Sequence, residues 1–232
     1  MSIAPHARPP ASWPLAELPA HTLAQARKRF STDNGFGVDG GYDAPFQDAE
    51  LAGIPYRTPN PPARGAVLQR HDLHHVLTGY PTDWRGEAFI SAWELGSGGP
   101  SGMLFAWTIV LFGIFTGIVG DPVGTFRAFV RGCGSDNLYG TSVDDALMQR
   151  SVSGLGQSLR VRAELPRDQI WHPAVTRRER AQQLMTFAIW AATASAYVAF
   201  ASPAVVVLAV GGMLARVRER SAACCVLQAC AS

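Results

Sequence analysis

Residues 61–96 read Pro61-Pro62-Ala63-Arg64-Gly65-Ala66-Val67-Leu68-Gln69-Arg70-His71-Asp72-Leu73-His74-His75-Val76-Leu77-Thr78-Gly79-Tyr80-Pro81-Thr82-Asp83-Trp84-Arg85-Gly86-Glu87-Ala88-Phe89-Ile90-Ser91-Ala92-Trp93-Glu94-Leu95-Gly96. Pro61 and Pro62 suit the first turn of a helix, because proline has the right φ and needs no donor there; Gly79 followed by Pro81 suits its end. The pattern predicts a helix over residues 63–78. Thr82 and Asp83 are both good N-caps, so a second helix starts there and runs to Leu95. A link of only Gly79 to Pro81 makes the two helices antiparallel neighbours. Elsewhere no strand run or alternation stands out, so the fold expected is all-α, a helical bundle.

The first helix carries His71-Asp72-Leu73-His74-His75, three of the six histidines of the chain, and eleven residues separate His75 from Glu87. At 3.6 residues per turn, Asp72 lies about 100° and His75 about 40° around the axis from His71, so the three share one arc. On the second helix Asp83, Glu87 and Glu94 form one stripe, which brings Glu87 opposite His75. Two imidazoles and two carboxylates suit a divalent metal: Zn²⁺ first, with Fe²⁺, Mn²⁺ and, with more water, Mg²⁺ as alternatives. The candidate ligands are His71, Asp72, His75 and Glu87. His74 points about 60° to the other side of His71, a position for a supporting or substrate-facing group. Glu94 takes the place of Glu87 if Glu87 faces solvent.

At these residues the chain resembles the coenzyme Q (ubiquinone) biosynthesis protein 4 family, whose signature is His-Asp-x-x-His, eleven residues, then Glu. Asn60-Pro61-Pro62, the turn Leu77-Thr78-Gly79-Tyr80-Pro81-Thr82 and the pair Gly86-Glu87 fit the same family. The resemblance covers residues 54–95. It implies an all-helical, membrane-associated protein with a divalent metal on the signature residues, next to a pocket for a long prenyl lipid. It further implies replacement of the C1 carboxyl group of a polyprenylated 4-hydroxybenzoate, an oxidative decarboxylation, and the organising of other quinone-biosynthesis enzymes. A homo-oligomer is expected as well. A non-catalytic scaffold that binds prenyl lipid is the reading compatible with the same residues. An HD-type phosphohydrolase also uses helical His and Asp, but needs a further upstream His, for which only His6 and His21 are present.

The 232 residues are 47% hydrophobic, enough for one sizeable core with an added membrane segment, and the net charge of +2 is too small to imply nucleic acid. Lys28 is the only lysine, and the abundant Arg, Ala, Gly and Pro read as base composition. Cys133, Cys224, Cys225 and Cys230 lack zinc-finger spacing, and no charged-then-apolar signal pattern opens the chain, so reduced thiols in a cytoplasmic setting are expected. Residues 1–19 are expected to be a flexible Pro/Ala-rich arm, followed by a short basic helix over 21–30. Gly35-Phe36-Gly37-Val38-Asp39-Gly40 matches a dinucleotide-binding string but follows a basic helix where a hydrophobic strand is required.

Two apolar stretches frame the rest. Residues 103–119 would span only about 26 Å, marginal against a hydrocarbon core of about 30 Å, and are expected to form a core or lipid-groove helix. Residues 181–215 are uncharged, are interrupted by Pro203, and are bracketed by Arg177, Arg178 and Arg180 before and by Arg216, Arg218 and Arg220 after. Arginines on both flanks suggest a membrane hairpin over 182–201 and 204–215, or a kinked span, with the protein on the cytoplasmic face of a bacterial cytoplasmic membrane. Amphipathic helices are expected over 121–132 and 142–159. The organisation is thus an arm at 1–19, a helical metal-site domain at 20–180 and an apolar segment with a short tail at 181–232.

Overall fold

The computed structural model describes residues 21–37, 40–51 and 54–201. The expected arm at 1–19, the second arm of the hairpin at 204–215 and the three tail cysteines lie outside the described residues. The fold is all-α. Helices α1 (Leu23–Asp33), α2 (Pro62–Thr78), α3 (Trp84–Gly96), α4 (Leu104–Gly120), α5 (Pro122–Gly132), α6 (Asp145–Met148) and α7 (Val152–Ser158) are followed by a long helix α8 (Arg177–Ala201).

The ends of α2 and α3 follow their sequence. Pro61 and Pro62 open α2, and Gly79 closes it in the left-handed conformation at φ 77° with its N–H on the carbonyl of His75. Asp83 caps α3 by accepting the N–H of Gly86 at 2.8 Å. A side chain at Gly86 would run into the carbonyl of Pro81 at 1.8 Å, so the short α2–α3 turn closes directly onto the first turn of α3. This fixes the two helices in the antiparallel arrangement that the linker length predicts.

Three differences from the sequence reading have local causes. Where no strand run is expected, residues form an antiparallel hairpin of β1 (Phe46–Leu51) and β2 (Ile54–Pro59), whose two prolines and polar content hide a strand signal. The helix expected over 142–159 is divided into α6 and α7, because Ser151 caps a new start at Val152 by accepting the N–H of Gly154, and its backbone bridges to Thr22. The apolar helix α4 is buried on one face only: Ala106, Val110 and Ile114 are fully buried, whereas Leu104, Phe112 and Val119 are exposed. The apolar helix is thus half-buried, with one face in the core and the other exposed.

Two apolar clusters form the core. One joins α1, α2, α6 and α7 through Leu23, Phe30, Leu73, Leu77 and Leu155. The other joins α3, α4, α5 and α8 through Ile90, Trp93, Val110, Ile114, Phe129 and Ala194. Glycines let backbones touch within the second cluster: a Cβ on Gly96 would lie 2.2 Å from the carbonyl of Phe129, and one on Gly132 would lie 2.3 Å from that of Trp93. The facing surfaces of α2 and α3, where the clusters meet, carry the histidines and glutamates. Helix α8 has 25 residues and is long and apolar enough to cross a membrane, with only 6% of its most apolar window buried.

Candidate metal centre

Three of the four expected ligands converge. The Nε2 atoms of His71 and His75, one helical turn apart on α2, are 3.3 Å apart. Across from them, on the first turn of α3, Glu87 places Oε2 3.1 Å from His71 Nε2 and Oε1 3.4 Å from His75 Nε2. These ligand atoms all lie within 4.8 Å of one another.

The partners of the other ring nitrogens assign the tautomers. His75 Nδ1–H donates to the carbonyl of Tyr80 at 2.9 Å, which the left-handed Gly79 turns back toward α2. His71 Nδ1–H donates to Glu94 Oε1 at 2.9 Å. Both Nε2 atoms therefore present lone pairs to each other and to a carboxylate. Three acceptors at this spacing repel unless a cation sits among them, and the cation is either a proton or a metal ion. For bonds of about 2.0–2.1 Å, neighbouring ligands of a tetrahedral ion are about 3.3–3.4 Å apart, close to the 3.3 Å between the two Nε2 atoms and to the distance of each from its nearer Glu87 oxygen. The donor set can therefore hold a metal; which metal is not fixed by it.

Asp72 is not one of the three. It is buried on the same turn, and its Oδ2 accepts the hydroxyl of Tyr42, a buried residue between α1 and the hairpin. Burial raises its carboxyl above the ordinary range, partly offset by that hydroxyl and by the neighbouring His71 and His75. The sequence shows Asp72 on the right arc but gives no sign of Tyr42, thirty residues upstream.

Glu94 has a role that the stripe with Glu87 left open: both glutamates are used at once. It is fully buried, and its Oε1 accepts from His71 and, at 2.6 Å, from His74 Nδ1–H. His74 can only donate at Nδ1, because its Nε2 accepts the N–H of Leu138 at 2.9 Å. His74 is thus a supporting group, turned away from the three-ligand cluster. Burial holds its imidazole below the ordinary value, so it stays neutral. Tyr139 lies beside Glu94, and burial together with that charge raises its phenol well above the usual range.

Electrostatics follow from this layering. Burial opposes charge on His71, but Glu94 and Glu87 outweigh it and raise the imidazole well above its usual value. Burial likewise works against the ionised carboxyl of Glu87, yet His75 and His71 hold it down at about 2. Access is from the side of Glu87, whose side chain is 41% exposed while those of His71 and His75 are at most 5% exposed. Phe30 of α1 stacks on His75 at 5.6 Å and closes the inner side.

His21, which a phosphohydrolase reading would recruit, is exposed and is not in the cluster, and His6 lies outside the described residues. A groove of about 880 Å³ lies on the far side of α3 and touches the centre only through Tyr80. Comparison of the chain with protein-family models, curated proteins and solved structures finds no match.

Proposed function

We propose that this chain is a metal-dependent, membrane-associated protein of ubiquinone or related prenyl-quinone synthesis, acting at the cytoplasmic face of the bacterial membrane on the C1 carboxyl of a polyprenylated 4-hydroxybenzoate. The observation that carries the metal dependence is the meeting of two imidazole lone pairs and a carboxylate at 3.1–3.4 Å, with both tautomers held from behind. The substrate class rests on the resemblance of residues 54–95, and the membrane setting is supported by α8.

His71, His75 and Glu87 would hold the ion. Two imidazoles and one carboxylate with positions left open is the ligand set of non-haem Fe(II) centres that use dioxygen, and of catalytic zinc. When bound, such an ion supplies Lewis acidity toward a phenolate or carboxylate head, and as iron it also supplies a redox partner. The net reaction replaces a carboxyl group and a water molecule by a hydroxyl group, carbon dioxide, two protons and two electrons, the electrons passing to an acceptor such as dioxygen. Around this, the residues of the chain position and protect: Glu94 and the Tyr80 carbonyl hold the Nδ1 protons, and Phe30 keeps water from the inner side. Other enzymes of the pathway, and further copies of the chain, are partners within this proposal.

Full-length protein loaded separately with Fe²⁺ and Zn²⁺ and given a prenylated 4-hydroxybenzoate in air tests it, with carbon dioxide and product followed by mass spectrometry. Release of carbon dioxide together with the C1-hydroxylated product, lost in His75→Ala, is the expected result. Lipid binding without turnover under either metal would favour the scaffold, and the absence of both would overturn the assignment.

A further inference from the structure

The 880 Å³ groove on the far side of α3 lies between α5 and the segment 162–175 that leads into α8. Its floor carries Arg127 and Arg131, one turn apart on α5. Arg127 donates to the carbonyls of Leu165, Pro166 and Arg167 at 2.8–2.9 Å. Arg131, only 8% exposed, donates to the carbonyls of Arg162 and Thr78 and lies over the ring of Tyr80 at 4.9 Å; its Nη1 has no partner. Neither guanidinium has a carboxylate at ion-pair distance among the described residues. Carbonyls and a ring face orient these charges without neutralising them, and a buried charge without a counter-ion is costly.

More positive charge stands at the rim. Arg162 and Arg167 line the groove and are exposed; Arg162 acts electrostatically on Glu179, and neither makes a side-chain hydrogen bond or close ion pair among the described residues. The acidic residues of the lining are already engaged or outnumbered. Asp121 faces Arg85 at 3.4 Å, Glu179 caps Thr176, and Glu164 is the third. Five arginines against three carboxylates leave an excess of two positive charges. Phe89, Val123 and Ile170 add an apolar wall. The groove thus offers a cationic end and a greasy side, the complement of an anionic amphiphile.

Its position selects the source. Ala174, Val175 and Glu179 line the groove and lie at the start of α8, whose first turn carries Arg177, Arg178 and Arg180. If α8 enters a bilayer, this basic turn is at the level of the headgroups, where arginines are favoured. We infer that the groove binds the phosphate headgroup of an anionic phospholipid from that bilayer, separately from the metal centre. A guanidinium fork matches two phosphate oxygens, and Arg162 and Arg167 stand at the rim to meet them.

The test is calorimetric titration of the detergent-solubilised full chain with short-chain phosphatidylglycerol, phosphatidylcholine and inorganic phosphate. Arg127 and Arg131 brace the fold, so the informative variant is R162Q/R167Q, with circular dichroism and metal content as controls. Phosphatidylglycerol should bind, phosphatidylcholine should bind much more weakly, and each removed arginine should weaken the anionic lipid by roughly fivefold. Equal affinity for the two lipids, or an unchanged affinity in the folded double variant, would overturn the inference. Inorganic phosphate binding as tightly as the lipid would do the same, by showing a free-anion site. None of these outcomes depends on turnover or on the metal.

Discussion

The Nε2 atoms of His71 and His75 face each other at 3.3 Å while both rings donate from Nδ1, to Glu94 and to the carbonyl of Tyr80 respectively. With both Nδ1 protons held from behind, the Nε2 side of the pair is where a proton or a metal ion is taken up. A helix with His at i and i+4 provides the spacing; the partners behind the rings provide the direction.

Glu94 sets one of these directions, and its replacement separates charge from hydrogen bonding. Glu94→Gln keeps an acceptor oxygen near His71 but removes the negative charge, so metal affinity should fall by about 10–100-fold with the fold retained. Glu94→Leu leaves two buried N–H groups without an acceptor, each costing about 1–3 kcal/mol. Chelator competition and thermal unfolding on the two variants check both statements.

Asp72 tests how closely the centre follows the four-residue signature. With its Oδ2 on the hydroxyl of Tyr42, Asp72→Asn should retain most of the bound metal, in contrast to His71→Ala. Tyr42→Phe should destabilise the fold by about 1–3 kcal/mol, because it strands a buried carboxylate oxygen. Loss of metal in Asp72→Asn equal to that in His71→Ala would place Asp72 among the ligands.

Without metal, Glu87 and His71 should together contribute most to stability in mildly acidic solution. The carboxyl of Glu87 is held at about 2, against 4.5 when free, so its contribution is present above about 4.5 and is lost as pH falls toward 2. His71 is raised above 6.5, so its contribution is present below about 6.5 and is lost as pH climbs through the higher folded value. The part of the melting temperature lost in Glu87→Gln and in His71→Phe, measured against pH in the presence of a chelator, should be greatest between about 4.5 and 6.5. A metal ion takes the place of the proton on His71, so apparent metal affinity should fall as pH is lowered.

The placement of Glu87 depends on how closely α4 approaches α3. A Cβ on Gly113 would lie 2.1 Å from Ser91 Oγ and 3.2 Å from the carbonyl of Glu87. Gly113→Val should cost about 1–3 kcal/mol by overpacking, and Ser91→Ala in the same chain should recover part of it. Denaturant unfolding of the two single variants and the double variant measures this.

Much of this arrangement was legible in the sequence because it depends on short-range rules. Pro61, Pro62, Gly79 and Asp83 mark helix ends, and a three-residue link leaves little choice but an antiparallel pair. Helical periodicity then brings His71, His75 and Glu87 together. What escaped depends on contacts distant in the chain. Tyr42 reaches Asp72 from the far side of the hairpin, and Leu138 fixes the tautomer of His74 across 64 residues. Glu87 and Glu94 are two turns apart and look alike on the stripe; only the depth of the α2–α3 interface makes one a ligand and the other its support. The hairpin was hidden by Pro55 and Pro59, and the break between α6 and α7 by a capping serine within an amphipathic run.

The central claim is that His71, His75 and Glu87 form a cation site, and metal content of the purified full-length protein measures it most directly. Elemental analysis should find close to one divalent ion per chain, lost in both His71→Ala and Glu87→Ala while their circular dichroism remains helical. An ion retained in both folded variants, or none bound by the native chain when Zn²⁺, Fe²⁺ and Mn²⁺ are offered in turn, would contradict it.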